Sequence, residues 1–255
     1  MVLSMVRWCG KVAVVTGASS GNGAAIAQRL VNEGLIVAGL ARRSERVEEL
    51  SKKLSGAKGK LYAVKADVTK EEDILKAFRW VCDNLGPVHI LVNNAGVMPN
   101  TSLTEGPIET WKRIFDVNVI GLCVATKEAV RIMRANNIDG HIVHIASLTG
   151  HVVPHVAEMN VYPASKSAVV FLTETLRKEL NEMGSKIKIS SVSPGAIRTP
   201  LWEKGADSFN TDPNLMQQIP FLQSEDIADA VTYILSTPPH AQVHDIIIRP
   251  VGQKD

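Results

Sequence analysis

Tyr162 and Lys166 are four residues apart, so on a helix their side chains lie on one face. A tyrosine ordinarily has a pKa of about 10, which makes it a poor base at neutral pH, and the charge of a neighbouring lysine favours its ionised form. Ser147 ends an apolar run upstream, and its hydroxyl is suited to hydrogen-bond the oxygen that gives up or receives the proton. Together these side chains predict a general acid/base site for a carbonyl or an alcohol. The Tyr-x-x-x-Lys spacing alone is weak support, because it arises by chance in many helices.

A glycine-rich turn lies between the first predicted strand and the first predicted helix. Gly17, Gly21 and Gly23 carry no side chains where the backbone must turn sharply and approach a ligand. The helix that follows presents free N–H groups and the positive end of its dipole, which suits a pyrophosphate. After the first strand of a strand–helix–strand pattern, this turn predicts a dinucleotide site. A tight turn without a ligand is the alternative.

The end of the second predicted strand bears on which dinucleotide binds. Folds that select NAD place an acidic residue there, whereas an arginine accommodates the additional phosphate of NADP. Ala41 occupies that position, and Arg42 and Arg43 follow it. A guanidinium holds a phosphate through two parallel hydrogen bonds, so we predict NADP (NADPH) rather than NAD, with Arg42 as the main contact and Ser19 or Ser20 assisting. Alternatively, the two arginines only solvate the start of a helix.

Short apolar runs alternate with longer amphipathic segments. The predicted strands are 12–16, 36–41, 61–66, 88–92, 141–146, 187–192 and 246–248, and the predicted helices are 22–33, 44–54, 70–85, 108–135, 158–183 and 224–236. Continuous Val/Ile-rich runs indicate strands that are buried on both faces. We predict an α/β fold of the Rossmann type, a doubly wound seven-stranded parallel sheet with helices on both faces. Residues 1–255 would form a single dinucleotide-binding and catalytic domain.

One predicted connection, 199–224, is long for a compact domain. It follows the carboxyl end of a strand, where ligands bind in open α/β sheets, and so predicts a substrate loop or lid. A crossover whose aromatic residues pack on the core is the alternative. Apolar residues here and at 152–154 predict a lipophilic substrate. The residues predicted to contact substrate are Thr149, Val153, His155 and Trp202.

Composition argues against several classes of function. The chain has 255 residues, of which 45% are hydrophobic, and a net charge of +2 provides no general field for nucleic acid or an anionic membrane. Three dispersed cysteines predict neither a disulfide framework nor a zinc site. No metal-ligand spacing is present, and His141 and His144 fall within a predicted strand as sheet residues rather than bases. No stretch approaches the roughly 20 apolar residues of a membrane span, so we expect a cytoplasmic protein.

The motifs together resemble those of the short-chain dehydrogenase/reductase family over essentially the whole chain. The glycine spacing is Gly-x-x-x-Gly-x-Gly, and the other motifs follow in the family's order. They are Asn-Asn-Ala-Gly at 93–96, Asn118, Ser147, Tyr162 with Lys166, and Pro194 with Gly195.

The resemblance implies how a nicotinamide cofactor would bind. The residues that it adds are Asp67 and Val68 at the adenine, Asn94, Ala95 and Gly96 along the adenosine ribose, and Pro194, Gly195, Ile197 and Thr199 at the nicotinamide end. Asn22 stands where family members carry a branched apolar residue, and we include it as a contact because its amide can bond a phosphate.

The resemblance also implies catalytic roles. Tyr162 would exchange a proton with the substrate oxygen, and Ser147 would hydrogen-bond that oxygen. Lys166 would favour tyrosinate and bind the nicotinamide ribose. Asn118 would hold a water that links Lys166 to solvent, or would only kink its helix.

The implied activity is NADP-dependent interconversion of a lipophilic primary or secondary alcohol and its carbonyl. The segments around Trp8, Arg42 and Asp245 resemble a branch that includes insect farnesol dehydrogenase-like proteins and vertebrate hydroxysteroid and carbonyl reductases, which implies terpenoid or steroid substrates. Segments 108–135 and 158–183 resemble the helices through which family members form homodimers or homotetramers. Two rivals remain, a nucleotide-sugar epimerase-like enzyme and a non-catalytic NADP-binding redox sensor or scaffold.

Overall fold

The computed structural model describes residues 3–154, 159, 161–202 and 219–253. In this part of the chain the strands are β1 (Val12–Thr16), β2 (Ile36–Ala41), β3 (Lys60–Lys65), β4 (Val88–Asn93), β5 (His141–Ile145), β6 (Lys188–Pro194) and β7 (Asp245–Ile248). They form one sheet in the order β3-β2-β1-β4-β5-β6-β7, and every neighbouring pair is parallel. The predicted seven-stranded parallel sheet is confirmed.

The helices follow the predicted alternation with one exception. They are α1 (Gly21–Asn32), α2 (Ser44–Lys53), α3 (Glu71–Leu85), α4 (Ile108–Phe115), α5 (Gly121–Ala135), α6 (Val161–Glu182) and α7 (Ser224–Ser236). The single helix predicted over 108–135 is divided, because a π-helical turn, Asp116–Ile120, separates α4 from α5. Such a turn is frequent at functional sites. Apolar periodicity does not reveal it, since the pieces on either side keep their own helical pattern.

Helices cover both faces of the sheet, as predicted. Along β1, Ala13 and Val15 pack into a core with α1 and α7, whereas Val12 and Val14 pack into a second core with α3 and α5. Burying a valine-sized side chain contributes roughly 1.5–3 kcal/mol, and both faces of the strand gain it. This two-sided burial is why β1 has no alternation of apolar and polar residues.

The strand order reverses beside β1, which pairs with β2 on one side and β4 on the other. Ligands of open α/β sheets bind at such a reversal, outside the carboxyl ends of the strands. The glycine turn follows β1, and Asn94, Ala95 and Gly96 follow β4. The topology therefore brings two of the predicted motifs together. Among the described residues, no helix is both long and apolar enough to cross a membrane.

His144 lies in β5, as predicted, and its ring connects the sheet to two helices. Its Nδ1 is 3.0 Å from Thr173 Oγ1 on α6, and its Nε2 is 3.2 Å from Thr126 Oγ1 on α5. Thr126 Oγ1 accepts a 2.8 Å hydrogen bond from Asn93 Nδ2 at the end of β4. This buried network ties β4, α5, β5 and α6 to one another beneath the cleft.

The network holds His144 in its neutral form. Thr173 Oγ1 donates its proton to Val169 O, so it accepts from His144 Nδ1–H, and Nε2 accepts from Thr126. Burial first, and then the charge of Lys166, lower the pKa of His144 to about 3. The network therefore requires a neutral His144 ring, because a proton on Nε2 would break the hydrogen bond that Nε2 accepts from Thr126.

We expect His144→Asn to remove part of the acid sensitivity of the fold. The unfolded chain binds a proton at His144 near pH 6.5, but the folded chain binds it only near pH 3, so the wild type loses stability as the pH falls through this window. The loss is about 1.4 kcal/mol per pH unit. In urea unfolding at pH 7 the variant should be roughly 2 kcal/mol less stable, because the two threonines lose a partner. At pH 4.5 this difference should disappear, and an unchanged difference would contradict the assignment.

Candidate active site

A cleft of about 570 Å³ opens at the carboxyl ends of the strands. Most residues predicted for the cofactor line it, namely Gly17, Ser19, Ser20, Gly21, Asn22, Arg42, Arg43, Asp67, Val68, Asn94, Ala95, Gly96, Pro194, Gly195, Ile197 and Thr199. Ser147 and Tyr162 line the same cleft. The cofactor and acid/base motifs therefore converge on one site, although they are far apart in the chain.

The glycine turn packs tightly against the segment that follows β4. Gly17 has a φ of +70°, and a Cβ on it would lie 2.9 Å from Ala95 Cα. A Cβ on Gly23 would overlap Gly17 O and Asn94 Nδ2. Asn94 Nδ2 itself donates to Thr16 O at 3.0 Å. Gly17 and Gly23 are thus required by the packing of the turn itself.

Thr16, the last residue of β1, joins the ends of two strands beside the cleft. Its Oγ1 accepts hydrogen bonds from Asn94 N at 3.0 Å and from Ala95 N at 3.1 Å. This contact sets the backbone after β4 against the end of β1. The sequence reasoning did not assign Thr16 a role, although a hydroxyl at the end of a strand and before the glycines was a usable signal.

Asp67 and the arginines lie at the end of the cleft that is formed by the residues after β2 and β3. Burial raises the pKa of Asp67, but hydrogen bonds from Thr69 and the charges of Arg42 and Lys70 outweigh it, so the pKa is lowered overall. Thr69 donates to Asp67 Oδ1 through its N at 3.0 Å and its Oγ1 at 2.8 Å. Asp67 is therefore an ionised acceptor, and Arg42 and Arg43 are exposed cations beside it.

This end of the cleft suits a dinucleotide. The glycine turn leads directly into α1, whose first N–H groups have no intrahelical partner and suit a phosphate. Asn22 Oδ1 is buried with no hydrogen-bond partner in the described part of the chain. An amide oxygen accepts hydrogen bonds, as phosphate oxygens do, so this atom does not itself support the predicted phosphate contact, which the Nδ2 donor of Asn22 would have to make.

Ser147 is oriented by its own neighbour. Its Oγ accepts hydrogen bonds from Thr149 N at 3.2 Å and from Thr149 Oγ1 at 3.0 Å. With two donors directed at this oxygen, the Ser147 proton points elsewhere. Thr149, predicted as a substrate contact, lines the cleft and also positions Ser147.

Burial dominates the titration of Tyr162 and Lys166. It raises the pKa of Tyr162 to about 12, against the lowering effect of a hydrogen bond with Ser147. It lowers the pKa of Lys166 to about 8. Lys166 Nζ donates to Ile145 O at 2.8 Å and lies 5.8 Å from the centre of the Tyr162 ring. Burial therefore opposes ionisation of Tyr162 in this structure, and stabilisation of a tyrosinate by Lys166 stays a prediction.

Asn118 lies in the π-helical turn and connects the two sides of the site. Its Oδ1 accepts from Val97 N at 2.8 Å, and its Nδ2 donates to Val97 O at 3.0 Å and to Ser165 Oγ at 3.0 Å. A Cβ on Gly96 would contact both Asn118 Oδ1, at 3.6 Å, and Lys166 Nζ, at 3.8 Å. Asn118 thus fixes the backbone after β4 and lies on the same side of Gly96 as Lys166.

The part of the cleft next to Tyr162 has an apolar wall. Met98, Met159 and Trp202 pack with the Tyr162 ring, and Trp202 meets Phe221 edge-to-face at 5.5 Å between ring centres. Sequence reasoning placed Trp202 here but missed Met98 and Met159. Nothing in their spacing identifies them, because only the fold brings these segments together.

The other predicted substrate contacts have different outcomes. Val153 is not brought to the cleft: it is 75% exposed, while Val152 and Pro154 line the wall. His155 and residues 203–218 of the predicted loop 199–224 lie outside the described residues. At the described ends of that loop, residues 199–202, Ile219 and Pro220 line the cleft. Within the ranges that the structure describes, no cluster of His, Cys, Asp and Glu is placed to hold a metal ion.

Residues 11–208 match the family model for short chain dehydrogenases, and the chain belongs to that family. It is 48% identical to farnesol dehydrogenase of Aedes aegypti, over 98% of this chain and all of that protein. It is 43% identical to dehydrogenase/reductase SDR family member 11 of Bos taurus, over 98% of this chain and 99% of that protein. The resemblance to this branch of the family is confirmed.

Solved structures give the same assignment. A short-chain type dehydrogenase/reductase from Mycobacterium marinum superposes with a TM-score of 0.87 and 31% identity, over 96% of this chain and 98% of that one. An alcohol dehydrogenase from the archaeon Thermococcus sibiricus, complexed with 5-hydroxy-NADP, has a TM-score of 0.83 and 26% identity over the same shares. The chain is an oxidoreductase of a family that uses a nicotinamide cofactor.

We expect Gly23→Ala to destabilise the fold and to disrupt the turn. The added methyl group would overlap Gly17 O and Asn94 Nδ2, which are fixed by the contacts of β1 and β4. The cost should be about 2 kcal/mol or more in urea unfolding, as for other overpacked sites. Gly56→Ala is the matched control, because a Cβ there meets nothing within 4 Å. Equal stability of the two variants would contradict the packing described above.

Proposed function

We propose that the chain is an NADP-dependent dehydrogenase/reductase that interconverts a lipophilic alcohol and its carbonyl. The observation that carries this proposal is the placement of a neutral Tyr162, bonded to Ser147, between an apolar wall and the glycine turn in one cleft. A proton donor beside an apolar wall suits a carbonyl oxygen on a water-insoluble substrate. The glycine turn and arginines supply the place for the second reactant.

In the reducing direction, Tyr162 Oη would give its proton to the substrate oxygen while the carbonyl carbon gains a hydride. A nicotinamide cofactor supplies that hydride when bound. Ser147 would hydrogen-bond the same oxygen. Thr149 donates two hydrogen bonds to Ser147 Oγ, so the Ser147 proton points away from Thr149. Lys166 would stabilise the tyrosinate left behind, because its ammonium lies beside the ring. In the oxidising direction these proton transfers reverse.

The pKa of Tyr162 gives it the protonation state that the reducing direction needs. At about 12 it lies well above pH 7, so Tyr162 carries the proton that it would donate. Burial lowers the pKa of Lys166 to about 8, which is closer to pH 7. Lys166 can therefore return a proton to the tyrosinate, and we propose that a water held by Asn118 relays it. Desolvation thus moves the two pKa values apart, with Tyr162 raised to about 12 and Lys166 lowered to about 8, so that a proton on Lys166 passes favourably to the tyrosinate.

The preference for NADP rests on charge. Ala41 leaves the second strand without an acidic residue at its end, and Arg42 and Arg43 line the cleft there. A carboxylate would repel the additional phosphate, whereas a guanidinium binds it. Ser19 and Ser20 line the same end and add hydroxyl donors.

The substrate would be a terpenoid, a steroid or a similar compound. Met98, Met159 and Trp202 offer polarisable apolar surface beside Tyr162, and Leu201 and Ile219 extend it. The similarity to a farnesol dehydrogenase supports a lipophilic alcohol. We also propose that segment 199–224 borders the substrate, since its described ends line the cleft.

We further propose that residues 1–255 act as one catalytic domain and associate as a homodimer or homotetramer. Phe171 on α6 is 74% exposed, and Ile120 before α5 is 55% exposed, which supports pairing through these helices. A cytoplasmic location also stays a proposal.

We expect Tyr162→Phe to lower kcat by at least 10³-fold with lipophilic carbonyls and NADPH, because only the proton-donating oxygen is lost. Steady-state kinetics measure this, and a fluorescence titration should give an unchanged Kd for NADPH. Lys166→Met should lower kcat and also weaken NADPH binding. Near-normal turnover of the Tyr162 variant would contradict the proposed acid/base role, whereas a wild type that consumes no NADPH with these carbonyls would favour the sensor function.

We expect Arg42→Ala to raise the KM for NADPH by roughly 10- to 100-fold, as loss of charged hydrogen bonds worth about 1.5–3 kcal/mol predicts. The KM for NADH should change less than threefold, because NADH lacks the additional phosphate. Arg46→Ala is the control, since Arg46 is exposed on α2 away from the cleft lining. Equal losses for both cofactors would refute a phosphate contact at Arg42.

A further inference from the structure

The turn after β7 reaches back to the cleft. Gln253 N donates to Pro250 O at 3.2 Å, and Gly252 has a φ of +86°, which turns the chain. Gly252 and Gln253 both line the cleft. None of the roles assigned above uses these two residues.

Gln253 makes a directed contact with the segment that follows β6. Its Oε1 accepts a hydrogen bond of 3.2 Å from Ala196 N. The preceding amide, Gly195 N, donates to Ile248 O at 2.7 Å. Two consecutive amides after β6 are therefore both held by residues of β7 and its turn.

The contact also explains why residue 195 is a glycine. A Cβ on Gly195 would overlap Gln253 Oε1, and it would lie 3.1 Å from Pro250 Cδ. The side-chain amide of Gln253 thus occupies the volume that any other residue at 195 would need. The two positions are complementary in shape as well as in hydrogen bonding.

We propose that Gln253 is a positioning residue for the nicotinamide half of the cofactor. This inference rests on the proposed function and on the family resemblance, which implies that this half lies against Pro194, Gly195, Ile197 and Thr199. Gln253 Oε1 fixes the backbone of this segment at Ala196 N, from the side of β7 and its turn. Loss of the acceptor would leave Ala196 N unpaired and release the segment, while the adenosine end, on the far side of β1, would be unaffected.

The test compares two ligands on the full-length protein. NADPH carries both halves of the cofactor, and 2′,5′-ADP carries only the adenosine half with its additional phosphate. Isothermal titration should give a Kd for NADPH about tenfold higher in Gln253→Leu than in the wild type, and a Kd for 2′,5′-ADP within twofold. Gln253→Glu keeps an oxygen acceptor for Ala196 N and should restore much of the lost affinity. Gln28→Leu, an exposed change on α1, is the matched control and should bind as the wild type does.

A double-mutant cycle tests the shape of the contact. Gly195→Ala should weaken NADPH binding strongly in the wild-type background, because the methyl group displaces Gln253. In a Gln253→Ala background the same change should cost much less, since the overlapping oxygen is gone. The melting temperatures of the ligand-free variants show whether any loss is global.

Three results would overturn the inference: an unchanged NADPH Kd in Gln253→Leu, an equal weakening of NADPH and 2′,5′-ADP, or additive losses in the cycle. If the wild type binds NADH instead, NADH and ADP replace the two ligands and the comparison is the same. A wild type that binds neither cofactor would refute the proposed function itself, which the variants alone cannot do.

Discussion

The hydrogen bonds from the amides of Asn94 and Ala95 to Thr16 Oγ1 join the ends of β1 and β4, and the form of the cleft depends on them. A parallel sheet leaves unpaired backbone at its carboxyl end, where the strand order reverses. Thr16 satisfies two of those amides and draws the segment after β4 against the glycine turn. Gly17 and Gly23 are then needed because there is no room for a Cβ between these segments.

Burial governs the chemistry that this frame can support. Burial disfavours the charged forms of both Tyr162 and Lys166. Apolar side chains replace the water that would solvate the charge, and few hydrogen bonds compensate for it. The same physical effect keeps His144 neutral below the cleft, where it joins α5 and α6 to β5. Burial therefore makes His144 and Tyr162 neutral hydrogen-bonding groups at pH 7, whereas Lys166, with a pKa of about 8, keeps its charge.

Much of the fold was predictable, because it depends on local patterns. Runs of apolar residues indicated every strand of the sheet, and the glycine spacing placed the turn correctly. The π-helical turn at 116–120 was missed, since it alters the backbone without breaking the apolar pattern. The Lys166 spacing predicts a stabilised tyrosinate, but spacing reports proximity and not the burial that raises the pKa of Tyr162. Met98 and Met159 gave no signal, as their contact joins segments that are distant in the chain.

The sequence by itself determined the order of the elements, the positions of the glycines and the identity of the groups that can exchange protons. These follow from residue type and short-range periodicity, which act along the chain. Only the tertiary structure decided which groups are desolvated, which wall faces Tyr162, and that the turn after β7 lies against Gly195. Those properties depend on the three-dimensional surroundings of each atom, because burial and shape complementarity arise from segments that meet only when the sheet has formed.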